Sequence, residues 1–592
     1  MKQFLKITLA SVTGAFIALV LFFAIMLLIV TGIASSMESE YKLEDNSLLK
    51  ISLSGDLKEQ SVENPFDFSI PGMPMPNPME NQGLDDILSA IKKAKANEKI
   101  SGIYLDVKTL KGGFGGIEEI RNALIDFKKS GKKVYAYGDT YDQREYYICS
   151  VADKIFINPQ GMLNFCGLSA HPMFYKGTLD KLGIKTEVFK VGTFKSAVEP
   201  YLFTKMSDAS RLQTKVYMQD IWGHLLKGIA SSRKISIDDL NRLADKNMML
   251  QTSEELVKCR LVDTLAYKSV VRKYIAMKQG LNKTEDLHLV TVQDFLTIPE
   301  DKAKYVREKI AILYAEGNIT DEGTEGIVRD DILSEIEKIR DNEDIKAVVF
   351  RVNSPGGSAY ASEQIWKAIT DLKAVKPVVV SMGDYAASGG YYISCNASKI
   401  IASPNTLTGS IGIFGVFPIV EGLTQKLGLS FDVVKTNEMS DFGDLTRPMT
   451  DMEKLLMQRY IERGYDLFVK RCSEGRKIQE KKLREMAEGR VWTGQRAVEL
   501  GLADEVGGID RAIKVAAQLG KVKDYRMVSY PEKKTFYEQI LAELEGKTKM
   551  RMALEFFGND YAPLIELKKI KYSDRYACPY ERCRHTLKVQ TF

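Results

Sequence analysis

Three short stretches hold side chains that could carry covalent chemistry. Gly383-Asp384-Tyr385-Ala386-Ala387-Ser388-Gly389-Gly390 follows the apolar run PVVVSM and leads into the helical pattern YYISCNA. A serine there admits two readings: an N-cap of the helix, or a nucleophile raised on a sharp turn among small residues. Asn353-Ser354-Pro355-Gly356-Gly357-Ser358 follows a second apolar run, AVVFRV. Its glycines let backbone amides approach a ligand closely. An amide of Gly356 or Gly357, together with that of Gly389, would make an oxyanion hole. A nucleophilic serine needs a base. The chain has four histidines, His171, His224, His288 and His585, and none falls between residues 289 and 584. A Ser-His-Asp triad is therefore poorly supported. A buried lysine can serve instead, because desolvation disfavours the ammonium form. Lys195, in VGTFKSAVEP, follows the apolar run TEVFKV and stands beside small residues. Read alone, a lysine is more often a solvated surface group. The chemistry open to such a set is acyl transfer through a covalent serine adduct.

The elements that must position these residues are written twice. DDILSAIKKAKANEKISGIYLDV from Asp85 recurs as DDILSEIEKIRDNEDIKAVVFRV from Asp330, an offset of 245 residues. The same offset carries Gly138-Asp139 onto Gly383-Asp384, Tyr146-Tyr147-Ile148 onto Tyr391-Tyr392-Ile393, and Pro159 onto Pro404. It also carries Gly167 onto Gly412 and Gly183 onto Gly428. Two copies of one α/β unit are expected. Their mismatches fall on the chemistry: Ser388 faces Gln143, and Lys195 faces Ser440. Within a copy, apolar strand runs alternate with helical spacing, as in Ile332, Leu333, Ile336 and Ile339, and a further helix is expected from about Ser362. This alternation predicts βαβ units and a largely parallel sheet. Such a sheet presents functional groups at the carboxyl ends of its strands, where both glycine loops sit. The first strands, LLKISLSGDL and KIAILYAEGNI, align with an offset of 259, so loop length differs close to ENPFDFSIPGMPMPNPMENQG. Five prolines between Pro65 and Pro78 mark that segment as a loop.

The chain of 592 residues exceeds one ordinary domain. The expected organisation is an N-terminus with a transmembrane anchor over 1–37, a first copy over 38–266 that supplies the lysine, and a connecting helical segment over 267–307. A second copy over 308–530 supplies the serine, and a tail occupies 531–592. Net charge is +5 with 83 basic and 78 acidic residues, which argues against nucleic acid as a partner. Seven cysteines at irregular spacings do not form a disulfide framework. Cys578 and Cys583 have no second pair nearby to complete a zinc site. Ile7 to Met37 contains 31 residues without a charge, enough to span a bilayer. Lys2 and Lys6 precede it and Glu38 and Glu40 follow it, placing the N-terminus in the cytoplasm and the body outside. The rival reading is a cleaved signal peptide, whose apolar region usually runs only about 7–15 residues.

FKSAVEP, AASGGYYIS, NSPGGS and LTGSIGIFG together resemble the signal peptide peptidase A (protease IV) family in its long, duplicated form. The resemblance covers most of the chain after the anchor. It implies two tandem copies of a crotonase/Clp-protease-like βαβ domain and a membrane-anchored serine endopeptidase with a Ser-Lys dyad. Ser388 would be the nucleophile and Lys195 the base, with Ser410 of TGSIG orienting the lysine and Gly357 and Gly389 holding the oxyanion. No metal or cofactor is implied. The implied substrates are cleaved signal peptides and other hydrophobic peptides. The implied setting is the bacterial inner membrane, single-pass, with the body on the periplasmic side. A homo-oligomer, a tetramer by resemblance, is also implied. The alternatives are a crotonase-type acyl-CoA enzyme, since that fold also uses glycine-loop oxyanion holes, and a non-catalytic membrane scaffold.

Overall fold

Runs of β-branched and apolar residues bounded by glycine and polar turns form strands buried on both faces, and a sheet of such strands must be covered by helices. The computed structural model describes residues 43–61, 82–299 and 306–533, with a few isolated positions between 6 and 21. The uncharged stretch read as an anchor, the proline-rich loop between residues 62 and 81, and Cys578 and Cys583 lie outside the described residues. Among the described residues no helix is long and apolar enough to cross a membrane.

The first copy builds a seven-stranded sheet. Its central strands are Ser47–Lys58, Ile100–Lys111, Lys133–Asp142 and Lys154–Asn164, hydrogen-bonded in that order and all parallel. The second copy builds an eight-stranded sheet whose centre is Lys309–Glu316, Ile345–Ser354 and Val378–Ala387, again parallel. Lys399–Ala402 and Leu407–Gly409 pair with successive parts of Val378–Ala387. The mixed α/β class with parallel sheets, expected from the alternation, is what forms. Helices cover the sheets through the spacings read in the sequence: Ile332, Ile336 and Ile339 of Arg329–Asp341 are buried, as are Ile365, Ile369 and Leu372 of Ala359–Val375. The latter helix starts three residues earlier than Ser362 because Ser358 caps it, its Oγ accepting from the Ala361 N–H at 3.0 Å.

The copies correspond in detail. Tyr147 donates its hydroxyl to Glu118 and Tyr146 to the Leu261 carbonyl. The equivalent Tyr392 donates to Glu363 and Tyr391 to the Leu502 carbonyl. The segment read as a connector adds more than helices, since its strand Leu289–Thr291 joins the first sheet beside Leu48–Lys50. The copies are bound to each other by an antiparallel pair that no local pattern announces: Lys185–Val191 of the first with Ile413–Ile419 of the second. A buried ion cluster adds to this. Arg351, fully buried in Ile345–Ser354, bonds Glu59 Oε2 at 2.7 Å and approaches Glu119 Oε1 at 2.7 Å, both from the first copy. Its third nitrogen donates to Ser381 Oγ at 2.8 Å.

Candidate active site

Ser388 sits where the strand Val378–Ala387 ends and the short helix Gly389–Ser394 begins. Its backbone is at φ 54°, ψ −119°, a region that side-chain-bearing residues rarely occupy, at a cost of about 1–3 kcal/mol. Such a turn persists only where neighbours enforce it. The Ser388 N–H donates to the Gly409 carbonyl at 2.9 Å, and its carbonyl accepts from Tyr392 N–H at 2.9 Å. Of the two readings of this serine, the N-cap is not taken up, for its side chain makes no capping bond.

Facing the hydroxyl is the second glycine loop. Gly356 is at φ 112° and a Cβ there would fall 2.8 Å from both Ser388 Cβ and Gly389 N, so only glycine fits. Gly357 bridges to Ile319 through the Ile319 N–H, which donates to Gly356 O, and the Ser358 N–H, which donates to Ile319 O. The Gly357 N–H takes no part in that bridge. Gly389, the first residue of its helix, has an N–H with no intrahelical acceptor. These two amides lie close, the Gly357 nitrogen being 3.1 Å from where a Gly389 Cβ would stand.

Lys195 arrives from the first copy. It follows the inter-copy strand Lys185–Val191 and precedes a turn of 3₁₀ helix, Ser196–Val198. The second copy closes behind it. Phe194 N–H donates to the Glu488 carbonyl at 2.9 Å, and a Cβ on Gly489 would fall 2.7 Å from Lys195 Cβ. The side chain is 3% exposed. Its Nζ lies 2.9 Å from Ser388 Oγ, 3.0 Å from the Ser410 carbonyl oxygen and 3.1 Å from Ser410 Oγ. Burial pulls its pKa from 10.5 down to about 7. Thus Ser388, Lys195, Ser410, Gly357 and Gly389 converge, although they come from distant parts of the chain. His171 is solvent-exposed, and His224 pairs with Glu118.

The equivalent position in the first copy is plugged. Gln143 Oε1 accepts from the Gly167 and Cys166 N–H groups at 2.7 and 3.0 Å, and its Nε2 donates to the Gly167 carbonyl at 2.8 Å. Phe165 stands where the second copy has Ser410, and Ser440 lies exposed with its hydroxyl on the Asn437 carbonyl.

Sequence reasoning missed two features. One is Arg351, whose only signal was a single charge inside an otherwise apolar strand. The other is Asp384, whose carboxylate accepts from Gly113 N–H at 2.9 Å, Gly115 N–H at 2.8 Å and Gly116 N–H at 3.0 Å in the first copy.

A hydroxyl on a strained strand-to-helix turn, with two free amides before it and a buried amine against it, defines the serine hydrolase class. Comparison with known proteins narrows this. The model of peptidase family S49 matches residues 126–282 and 370–523, one match in each copy. Protease 4 of Salmonella typhi is 37% identical over 504 residues, spanning 82% of this chain and 80% of that protein. Protease 4 of Haemophilus influenzae is 36% identical, over 73% and 72% respectively. The chloroplast serine protease SPPA of Arabidopsis thaliana is 29% identical, over 83% and 72%. The chain belongs to peptidase family S49 and is a serine peptidase.

Proposed function

We propose that this peptidase works through a Ser388–Lys195 dyad formed between its two copies. The observation that carries the reading is the 2.9 Å approach of a fully buried lysine amine to Ser388 Oγ. A neutral amine has two N–H donors and one lone pair. The Ser410 carbonyl can only accept, so it takes one N–H, and Ser410 Oγ takes the other. The lone pair is left for the Ser388 hydroxyl, which then donates to Nζ. An ammonium would fill all three directions with donors and leave no base, so neutrality is required.

As Ser388 Oγ attacks a peptide carbonyl, its proton passes to Lys195 Nζ. The carbonyl oxygen, now negative, accepts from Gly357 and Gly389 N–H. Collapse breaks the C–N bond, and the Lys195 ammonium returns its proton to the leaving amine. Water, deprotonated by the same amine, then attacks the acyl carbonyl; the bond to Ser388 Oγ breaks and the Lys195 ammonium returns the proton to that oxygen, releasing the acid. Parallel strands ending in glycine loops with free amides support reading each copy as a crotonase/Clp-type domain.

The substrates we assign are cleaved signal peptides and other hydrophobic peptides, met at the bacterial inner membrane. The uncharged stretch Ile7 to Met37 would anchor the chain, with the body on the periplasmic side. We assign a homo-oligomer as well. The offset of 245 turns the inter-copy strands Lys185–Val191 and Ile413–Ile419 into segments 430–436 and 168–174, which among the described residues join no strand and are largely exposed. Pairing of 430–436 in one chain with 168–174 in the next would repeat the inter-copy contact between chains.

Ser388→Ala and Lys195→Ala, assayed separately on an apolar peptide, should each lose at least about 10³-fold in kcat. An acylating probe should label Ser388 in the wild-type protein. Substantial turnover in either variant would sink the dyad.

A further inference from the structure

The two copies differ at a third place, away from the nucleophile and the base. In the second copy Ser358 caps the helix Ala359–Val375 with its own hydroxyl. The offset of 245 puts Gly113 at the same position in the first copy, before the helix Phe114–Lys128, where no side chain of the same copy caps the helix. The missing cap comes from the other copy. Asp384 Oδ2 accepts from Gly113 N–H, and Oδ1 accepts from both Gly115 and Gly116 N–H, all within 3.0 Å. A 15-residue helix offers its free N–H groups and the positive end of its dipole to this carboxylate.

The fit leaves no slack. A Cβ on Gly113 would overlap the Asp384 carboxylate, and one on Gly115 would fall 2.8 Å from the Gly383 carbonyl oxygen. Asp384 lies four residues before Ser388 on the strand Val378–Ala387. The rest of that strand end is already tied to its own copy. Thr406 Oγ1 donates to the Gly383 carbonyl at 2.6 Å, Asn353 Oδ1 accepts from Tyr385 N–H at 3.1 Å, and Thr408 Oγ1 donates to the Ala386 carbonyl at 2.6 Å. Besides Ser388 itself, which meets Lys195, it is Asp384 that carries this turn across to the first copy.

We propose that Asp384 is a positioning residue for the reaction: by capping the Phe114–Lys128 helix it registers the Ser388 turn against the lysine-bearing copy. The cap lost from one copy has become a tether between the two. It acts through Ser388 and touches no substrate. The proposal rests on the dyad reading, because a register between copies matters to catalysis only if base and nucleophile come from different copies.

The test uses the full-length protein and three substitutions. Asp384→Ala removes all three bonds. Asp384→Asn keeps Oδ1 for Gly115 and Gly116 but turns a donor toward Gly113. Gly113→Ser places a hydroxyl where the second copy has its own cap, so the helix stays capped while Asp384 is displaced. A misplaced reacting group lowers the chemical step more than substrate binding. We therefore expect kcat to fall about 10- to 100-fold in Asp384→Ala and Gly113→Ser with KM within about twofold, and Asp384→Asn to lie between them and wild type. Gly113→Ser should keep an unfolding temperature close to that of the wild type, separating register from stability. Wild-type kcat in Gly113→Ser, or in folded Asp384→Ala, overturns the proposal. Ser388→Ala in the same assay reports on the dyad itself: if it is inactive while the Asp384 and Gly113 variants keep full kcat, only the positioning role fails.

Discussion

A lysine whose pKa is about 7 is half neutral near pH 7, and that single property shapes both activity and stability. If Lys195 is the base we propose, activity needs the free amine, so kcat/KM should rise with pH through a single limb near 7 before any upper limit sets in; a flat profile between pH 5.5 and 8.5 would contradict this. Stability runs by a separate rule. The unfolded lysine holds its proton up to about 10.5, the folded one only up to about 7. Burial therefore costs stability fully below pH 7, and the cost disappears as pH rises through 10.5. The difference of 3.5 pH units corresponds to on the order of 5 kcal/mol. Lys195→Met should accordingly abolish turnover yet raise the melting temperature, most at pH 6–7 and less by pH 10. Residues of this kind were legible because two copies of one unit act as controls for each other. Ser388 and Lys195 stood out where the copies disagreed. The lysine's burial was not legible, since the wall behind it, Glu488-Gly489, comes from the other copy nearly 300 residues later.

Elements were legible where their signal is local. Strand runs such as AVVFRV and PVVVSM became Ile345–Ser354 and Val378–Ala387, and the isoleucine spacing after Asp330 became Arg329–Asp341. The contacts that dock one element on another across the copies were not. Arg351 and Glu59 are 292 residues apart, and no spacing rule connects them. Burial pushes Glu59 up to about 7 against the pull of Arg351, and raises Glu119 for the same reason. Removing the arginine strands two carboxylates in an apolar interface. Arg351→Met should cost about 3–5 kcal/mol by urea denaturation at pH 8. At pH 5.5 the loss should be smaller. An acid whose folded pKa is raised loses stability as pH climbs from its unfolded value toward its folded one, and at pH 5.5 protonation removes most of the stranded charge. An equal loss at both pH values would show that the carboxylates do not carry the cost.

The whole molecule uses its duplication asymmetrically. Gln143 and Phe165 close the equivalent position in the first copy and Ser440 is turned to solvent, whereas Ser388 and Lys195 meet across the two copies. The same asymmetry leaves two edges over. Segment 430–436 carries Phe431, Val433 and Val434 to solvent, Val434 at 96% exposure. If these edges pair between chains, charges placed there should break the assembly without touching the dyad. Phe431→Asp with Val434→Asp should lower the mass measured by light scattering to that of a single chain and leave Ser388 open to the acylating probe. An unchanged mass would place the interface elsewhere. Nothing in the primary structure marks these segments as edges; they become visible only when the folded Lys185–Val191 and Ile413–Ile419 pair is moved along by one repeat.

The division of the centre between the copies also has a meaning in time. A chain emerging from the ribosome presents Lys195 long before Ser388 exists, and the backbone that buries the lysine, at Glu488-Gly489, follows a further hundred residues on. Earlier domains fold first during synthesis, so on the dyad reading the first copy would be complete before it could cut anything. Without that wall the lysine would stay solvated and keep its proton. If the dyad works as proposed, proteolytic capacity arises only when the second copy is finished and docked. On that reading, competence to cut would report that both copies have been made.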